Sequence, residues 1–307
     1  MNILFFCLRK MVLGVIVILA VLTISFFMVR AIPGDPFASE KSANPLVKEV
    51  VRQKYGMDKP LIVQYFNFIQ GAIVFDFGPS YVYRNWQVRD LLLKGFPVSG
   101  FLGFLALTIA TFLGVFLGSM AAYRRNSMMD YLTMATVVMG ICLPNFFLAP
   151  LLVIFFSLYL YWLPPAGWGG FSQLILPVFV LSLPYLAYIS RLTRAGMIEV
   201  LGKDFIRTAR AKGLPEYRVI FEHGLRNGII PVVTFLGPAA AGIMTGSFVI
   251  ETIFHIPGMG KYFISAFIHK DYGMILGSIF LYSVLLVFFN LLVDISYYFL
   301  NPRLQVP

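Results

Sequence analysis

Residues 131–190 read YLTMATVVMGICLPNFFLAPLLVIFFSLYLYWLPPAGWGGFSQLILPVFVLSLPYLAYIS, sixty consecutive positions without an Asp, Glu, Lys, Arg or His. As one straight helix this stretch would be roughly 90 Å long at 1.5 Å per residue, about three times the hydrocarbon thickness of a bilayer. It must therefore fold back on itself. Leu163-Pro164-Pro165-Ala166-Gly167-Trp168-Gly169-Gly170 marks the place. Two prolines end a helix, three glycines allow a tight turn, and Trp162 and Trp168 suit a membrane–water boundary. Two crossings result, at 131–162 and 173–190.

Four further charge-free runs, Met11–Val29, Gly95–Tyr123, Asn227–Ile250 and Tyr272–Val293, are each long enough for one crossing. The five runs together make up half of the 307 residues. Only 12% of the chain is charged, against about 25% in a soluble domain. No single water-soluble core hides that much apolar helix, so soluble enzymes, nucleic-acid binders and disordered tails are excluded. The fold class is all-α: a polytopic membrane protein with six helices near 11–29, 97–122, 131–162, 173–190, 229–250 and 272–293. The first is an uncleaved helix, because Phe26-Phe27-Met28-Val29-Arg30 offers no small-residue cleavage site.

Lys and Arg set the orientation. With the N-terminus inside, the short inner pieces carry thirteen and the short outer loops two, which places both termini in the cytoplasm. The same rule, with attraction to anionic lipid, accounts for the net charge of +10 without a nucleic acid. Cys7 and Cys142 lie in different spans and imply no disulfide.

Two connections are long. The outer segment 30–94 carries a helix start at Asn44-Pro45, a stripe of Leu46, Val47, Val50 and Val51, and a stop at Gly56. A second stripe, Leu61, Tyr65, Phe68, Ile69 and Ala72, reads as an amphipathic helix packed on the spans or the membrane surface. The inner loop 191–226 holds eight basic and four acidic residues in a helix–turn–helix pattern. Its first helix continues from span 4, with Ile198, Leu201, Phe205 and Ala209 at helical spacing, and Gly213 breaks it. Pro215 takes the first position of the second helix, with Val219 and Ile220 on one side. Small residues interleaved with charges at the turn suit close docking of a protein partner better than simple rest on lipid. The chain thus divides into 1–95, a first helix plus long external segment, and 96–307, a five-helix core with the inner loop 191–226.

None of the six predicted spans contains an ionisable side chain, although ion- and proton-coupled carriers use one at membrane depth. Transport through such spans must be driven from outside the membrane. No metal-binding, cofactor-binding or catalytic constellation is present. Gly258-Met259-Gly260-Lys261 mimics the tail of a phosphate-binding loop, but His255 stands where its first glycine belongs and Tyr262 where Ser or Thr belongs. Asn145, Tyr185, Tyr188 and Ser247 are polar or aromatic groups inside spans. They are candidates to line a translocation path, though satisfied packing is the more economical account of each.

Several segments in register resemble one family. They are Ala31-Ile32-Pro33-Gly34-Asp35-Pro36, Asp76-Phe77-Gly78, Arg191-Leu192-Thr193-Arg194, Asp204-Phe205-Ile206-Arg207-Thr208-Ala209-Arg210-Ala211-Lys212-Gly213-Leu214, His223-Gly224-Leu225-Arg226-Asn227, Pro257-Gly258-Met259-Gly260 and Asn301-Pro302-Arg303. The chain resembles the permease subunits of ABC-type importers of the oligopeptide/dipeptide/nickel group, B-type, over its whole length. The resemblance implies a type I importer permease fold in a bacterial inner membrane. It also implies a second permease subunit as a heterodimer partner, two cytoplasmic ATP-binding subunits, an external substrate-binding protein and surrounding lipid. Peptides lead as cargo; nickel and glutathione share the architecture. By resemblance, Asp204, Arg207, Thr208, Ala209, Arg210, Ala211, Lys212, Gly213, Leu214, Pro215 and Glu216 form the loop that couples to an ATPase. The family's Glu-Ala-Ala signature falls on Arg207-Thr208-Ala209, with Arg in place of Glu, so Asp204 or Glu199 is the candidate source of negative charge. Pro97-Val98-Ser99-Gly100 also departs from the family pattern, which usually shows Thr after the proline.

Overall fold

The computed structural model describes residues 3–32, 56–83 and 85–300, and no strand occurs among them. The helix expected from Asn44-Pro45 lies outside these residues. Five helices are long and apolar enough to cross a bilayer: α1 (Ile3–Ala31), α3 (Val88–Tyr123), α6 (Phe171–Leu201), α9 (Ile230–Met244, continued by α10, Phe248–Ile253) and α12 (Tyr272–Leu300). A sixth candidate crossing is a bent pair, α4 (Met128–Cys142) and α5 (Asn145–Leu152), the latter extended by a π-helical stretch Val153–Tyr159.

The two helices of this pair meet at 101°, a bend inside the stretch 131–162 that the sequence reading takes as one crossing. Pro144 lacks an N–H and holds Leu143 extended (ψ 115°), so the helix stops one residue earlier and restarts at Asn145. Pro150 then removes another helical hydrogen bond, and the chain widens into the π-helical stretch just beyond it. The expected break at 163–170 is also present, held by Gly167 N–H donating to Phe254 O at 2.8 Å and Gly170 N–H to Gln173 Oε1 at 3.0 Å.

The bundle is built on α3 against α6, which pack along most of their length. Gly95, Ser99, Gly103, Ala106, Ala110, Gly114 and Gly118 of α3 are buried in one small-residue stripe. Small side chains let helix backbones approach closely where lipid supplies no hydrophobic drive for association. A Cβ on Gly118 would lie 2.4 Å from Ser190 O of α6. On the outside, α1 runs along α12, and Lys10 Nζ meets Asp294 Oδ2 at 2.8 Å. The start of α1 and the end of α12 therefore share one end of the bundle. At the opposite end, α2 (Leu61–Ile73) packs on α1: Tyr65 hydrogen-bonds Thr23 at 2.8 Å, and Phe68 stacks on Phe26 at 5.5 Å. This is the packing expected of the second amphipathic stripe, with Leu61 left exposed.

The helices run past the charge-free runs, so several charges that flank the predicted spans lie inside helices. Asp130, fully buried in the first turn of α4, takes both prongs of Arg194 from α6 at 2.6 Å and the Asn126 N–H at 3.0 Å. Glu251, equally buried, lies in α10. Each of these charges has a protein partner, as a buried charge requires.

Candidate functional site

Two regions hold the candidate residues, and the first is the inner loop. Its first helix does not continue unbroken from α6, as the pattern predicts. Instead α6 ends at Leu201, Gly202-Lys203 turns the chain, and α7 (Asp204–Ala211) begins anew. The turn shifts the helical phase. Ile206, not Phe205, faces inward, joining Val200, Ala209 and Val219 in a small core, while Phe205 is 43% exposed. Gly213 adopts φ +78°, which a side chain would strain, and closes the hairpin. Pro215 stands just outside the next helix rather than in it; α8 comprises Glu216–Arg218, a π-helical Val219–Leu225 and a last turn Arg226–Gly228.

Arg210 Nη2 donates to Glu216 Oε1 at 2.7 Å across the turn, and that carboxylate raises the Arg210 pKa. Arg207 pairs with Asp204 at 3.5 Å and Lys203 with Glu199 at 2.9 Å, so both acids proposed to replace the signature Glu are engaged within the hairpin. These pairs are exposed and individually worth about 1 kcal/mol or less. The hairpin is seated by α8 on α6, where the Gly228 carbonyl sits against Gly196 and Met197 packs with Ile220 and Ala122. Of the eleven candidates, Ala209 is buried in the hairpin's own core and Leu214 and Glu216 are half-buried. Asp204, Arg207, Thr208, Arg210, Ala211, Lys212, Gly213 and Pro215 form an exposed surface.

The second region is a pocket open to the outside of the bundle, with Tyr188 47% exposed. Asn145, Tyr185, Tyr188 and Ser247, separated by up to a hundred positions in sequence, line one cavity of about 450 Å³ together with Phe235 and Gly242. Among the described residues, the side chains of Asn145, Tyr185, Tyr188 and Ser247 make no hydrogen bond with protein. The Pro144 bend is what delivers Asn145 to this cavity. Tyr185 and Tyr188 come from α6, both leaning on Phe235 of α9, with ring centroids 6.4 and 5.8 Å away. Among the described residues no group of His, Cys, Asp and Glu could hold a metal ion.

Residues 114–306 match the family described as binding-protein-dependent transport system inner membrane component, and residues 3–97 match its N-terminal region. The chain is 45% identical to the dipeptide transport system permease protein DppB of Bacillus subtilis over 94% of each chain. It is 42% identical to the oligopeptide transport system permease protein OppB of Escherichia coli K12, over 98% of this chain and 99% of that one. The OppB of Haemophilus influenzae is 44% identical over 92% of this chain and 94% of its own. Among solved structures, a chain of an amino acid ABC transporter superposes with TM-score 0.51 at 17% identity, covering 68% of this chain and 94% of that one, which is a likeness of fold. With five to six apolar spans, a transporter-type bundle and family matches spanning nearly its whole length, the chain belongs to the family of inner-membrane components of binding-protein-dependent transport systems.

Proposed function

We propose that this chain is a conduit-forming permease subunit of an ATP-driven importer of oligopeptides or dipeptides. It pairs with a second, related permease, receives cargo from an external binding protein, and is switched between outward- and inward-open forms by two cytoplasmic ATPases. The cargo class is supported by the peptide-permease names of its relatives. The observation that carries the conduit reading is the cavity between α5, α6 and α9, lined by polar groups left without protein partners. Its volume falls in the roughly 300–1,000 Å³ range of small-molecule sites. The charges inside helices argue against ion coupling, since Asp130, Arg194 and Glu251 are all committed to protein partners. Uptake should persist when the ion gradient is collapsed, provided ATP remains.

A filled cavity tests the conduit. Asn145→Trp is expected to remove most uptake of a radiolabelled dipeptide in a strain lacking the native chain, with membrane level and ATPase capture unchanged. Normal uptake by this variant would place the path elsewhere.

The inner-loop hairpin is the surface for the ATPase, and the end of the bundle that carries it is the cytoplasmic end. The excess of Lys and Arg there supports this, as does the Lys10–Asp294 pair, which brings the start of α1 and the end of α12 to one side. Segment 1–95 serves as a peripheral addition to the core 96–307. An exposed helical position makes the sharper test of docking. Ala211→Arg should leave the hairpin folded and abolish co-purification of the ATPase. Arg210→Ala, which loses one exposed ion pair, should weaken capture only mildly. Full ATPase retention by Ala211→Arg would remove the hairpin from the interface.

A further inference from the structure

A second cavity, of about 360 Å³, adjoins the one lined by Asn145, Tyr185, Tyr188 and Ser247 and is formed by α9, α11 (Gly260–His269) and α12. Its lining includes Thr245, Phe248, Met259, Phe263, Ile279 and Tyr282, of which Met259 is buried and Phe248 and Tyr282 are exposed. Gly242, in the last turn of α9, and Gly246, two residues beyond that helix, line both cavities. Phe235 and Ile243 line only the first, and Thr245 lines only the second. The boundary between the cavities therefore carries no side chain. The two glycines are bare for different reasons. Gly246 must be: its φ is +100°, and a Cβ would lie 2.6 Å from Glu251 Oε1. Gly242 need not be. A Cβ there would meet nothing nearer than Tyr185 Oη at 3.9 Å, whereas on Gly237 of the same helix it would lie 2.6 Å from Asn290 Oδ1. Glycine weakens a helix relative to alanine, and no close approach of another element accounts for it at Gly242. What its missing side chain leaves is an opening between the two cavities.

The cavities differ in chemistry. The first offers an amide and three hydroxyls without protein partners; the second is walled mainly by apolar and aromatic side chains. Among the described residues, no charged side chain lines either one. A peptide has the same division, a backbone of hydrogen-bonding groups from which side chains project. We infer that the second cavity receives one apolar or aromatic side chain of a peptide whose backbone lies in the first, and that Gly242 sets the size of side chain that can pass between them. The inference rests on the conduit reading proposed above. Aromatic walls favour an aromatic or branched aliphatic group, while a charged one would lose its hydration there and find no counter-charge. A peptide made of glycine alone leaves the second cavity unused.

A pair of cargoes decides the matter. Uptake of radiolabelled Gly-Gly and Gly-Phe is measured in a strain lacking the native chain, with every other transporter component unchanged, and divided by the amount of chain in the membrane. Selection by the external binding protein is then common to all strains, so a changed ratio of the two uptakes arises in the permease. Gly242→Leu puts a side chain across the opening. It should cut Gly-Phe uptake about tenfold or more, the discrimination a hydrophobic pocket makes against a group it cannot admit, while Gly-Gly uptake stays near wild type. Ile279→Trp fills the second cavity from α12 without lining the first, and should show the same selective loss. It holds the test open if Gly242→Leu does not reach the membrane. An unchanged ratio in Ile279→Trp overturns the inference, whether both uptakes persist or both fall. A changed ratio there with an unchanged one in Gly242→Leu removes Gly242 from the role given to it. The conduit reading fails separately, by normal uptake of both peptides in Asn145→Trp. Loss of both in Asn145→Trp, with the ratio unchanged in Ile279→Trp, keeps the conduit and discards the side-chain cavity.

Discussion

Gly118→Leu is expected to leave almost no folded protein in the membrane and no measurable uptake. Gly118 faces α6 so closely that even a single Cβ would sit 2.4 Å from Ser190 O and 2.6 Å from Thr193 Cβ. The first neighbour is backbone and cannot rotate away. Relief requires α3 and α6 to separate along their shared length, which also opens the contacts made by Gly114 and Ala110. Overpacking of this kind costs on the order of 3 kcal/mol or more, a large part of a typical stability of about 5–15 kcal/mol. Gly118→Ala should already lower the thermal midpoint clearly. Gly100→Ala supplies the control in the same helix: its Cβ would meet nothing nearer than Phe96 at 3.6 Å, an ordinary contact, and alanine is the better helix former. Equal stability of Gly118→Ala and Gly100→Ala would show that the α3–α6 approach is not what holds the bundle.

The same stripe illustrates what could be read in advance. Charge-free runs located the five apolar spans and the bent pair because the cost of a charge in hydrocarbon leaves a long, plain signal. The partners of those helices left a fainter one. Gly95, Ser99 and Gly103, and again Gly114 and Gly118, are spaced by four residues along α3, yet within an apolar run they look like ordinary composition. Pro144 was legible as a helix stop but was overshadowed by the stronger double proline twenty residues later, and with it went the reason Asn145 faces the cavity. In the inner loop the hairpin and Gly213 were legible. The inward face was not, because the turn at Gly202-Lys203 shifts the phase by a fraction of a helical turn and exchanges Phe205 for Ile206. The buried polar cluster around Glu251 left no local trace at all, since its members come from positions 99, 251, 259 and 260 and meet only in three dimensions.

That cluster carries the second large effect. Glu251 Oε1 accepts the Ser99 hydroxyl at 2.6 Å, and Oε2 accepts the Gly260 N–H at 2.8 Å. Ser99 Oγ in turn accepts the Met259 N–H at 2.7 Å, which commits its proton to Glu251. The carboxylate is packed against glycine backbone: a Cβ on Gly258 would come within 2.5 Å of it. Three separate pieces, the upper part of α3, α10 and the start of α11 (Gly260–His269), are therefore joined through one side chain that only accepts. Glu251→Ala leaves two buried donors unmet at about 1–3 kcal/mol each, and opens a void besides. It should be nearly as damaging as Gly118→Leu. Glu251→Gln fits the space, but whichever way its amide turns one donor is left over, so its loss should be intermediate. Ser99→Ala removes one donor together with the acceptor of Met259 N–H, and should resemble the Gln variant. Thermal midpoint and uptake, each normalised to protein in the membrane, give the order wild type, Gln, Ala. The cluster borders the cavity lined by Tyr185 and Asn145 only through the backbone of Gly246 and Ser247, and its side-chain hydrogen bonds run to α3 and α11, so uptake per folded molecule should stay near wild type in Glu251→Gln while the midpoint falls. If the midpoint stays put and uptake per molecule collapses, Glu251 works as a gate between the two open forms, and the structural role argued for it is wrong.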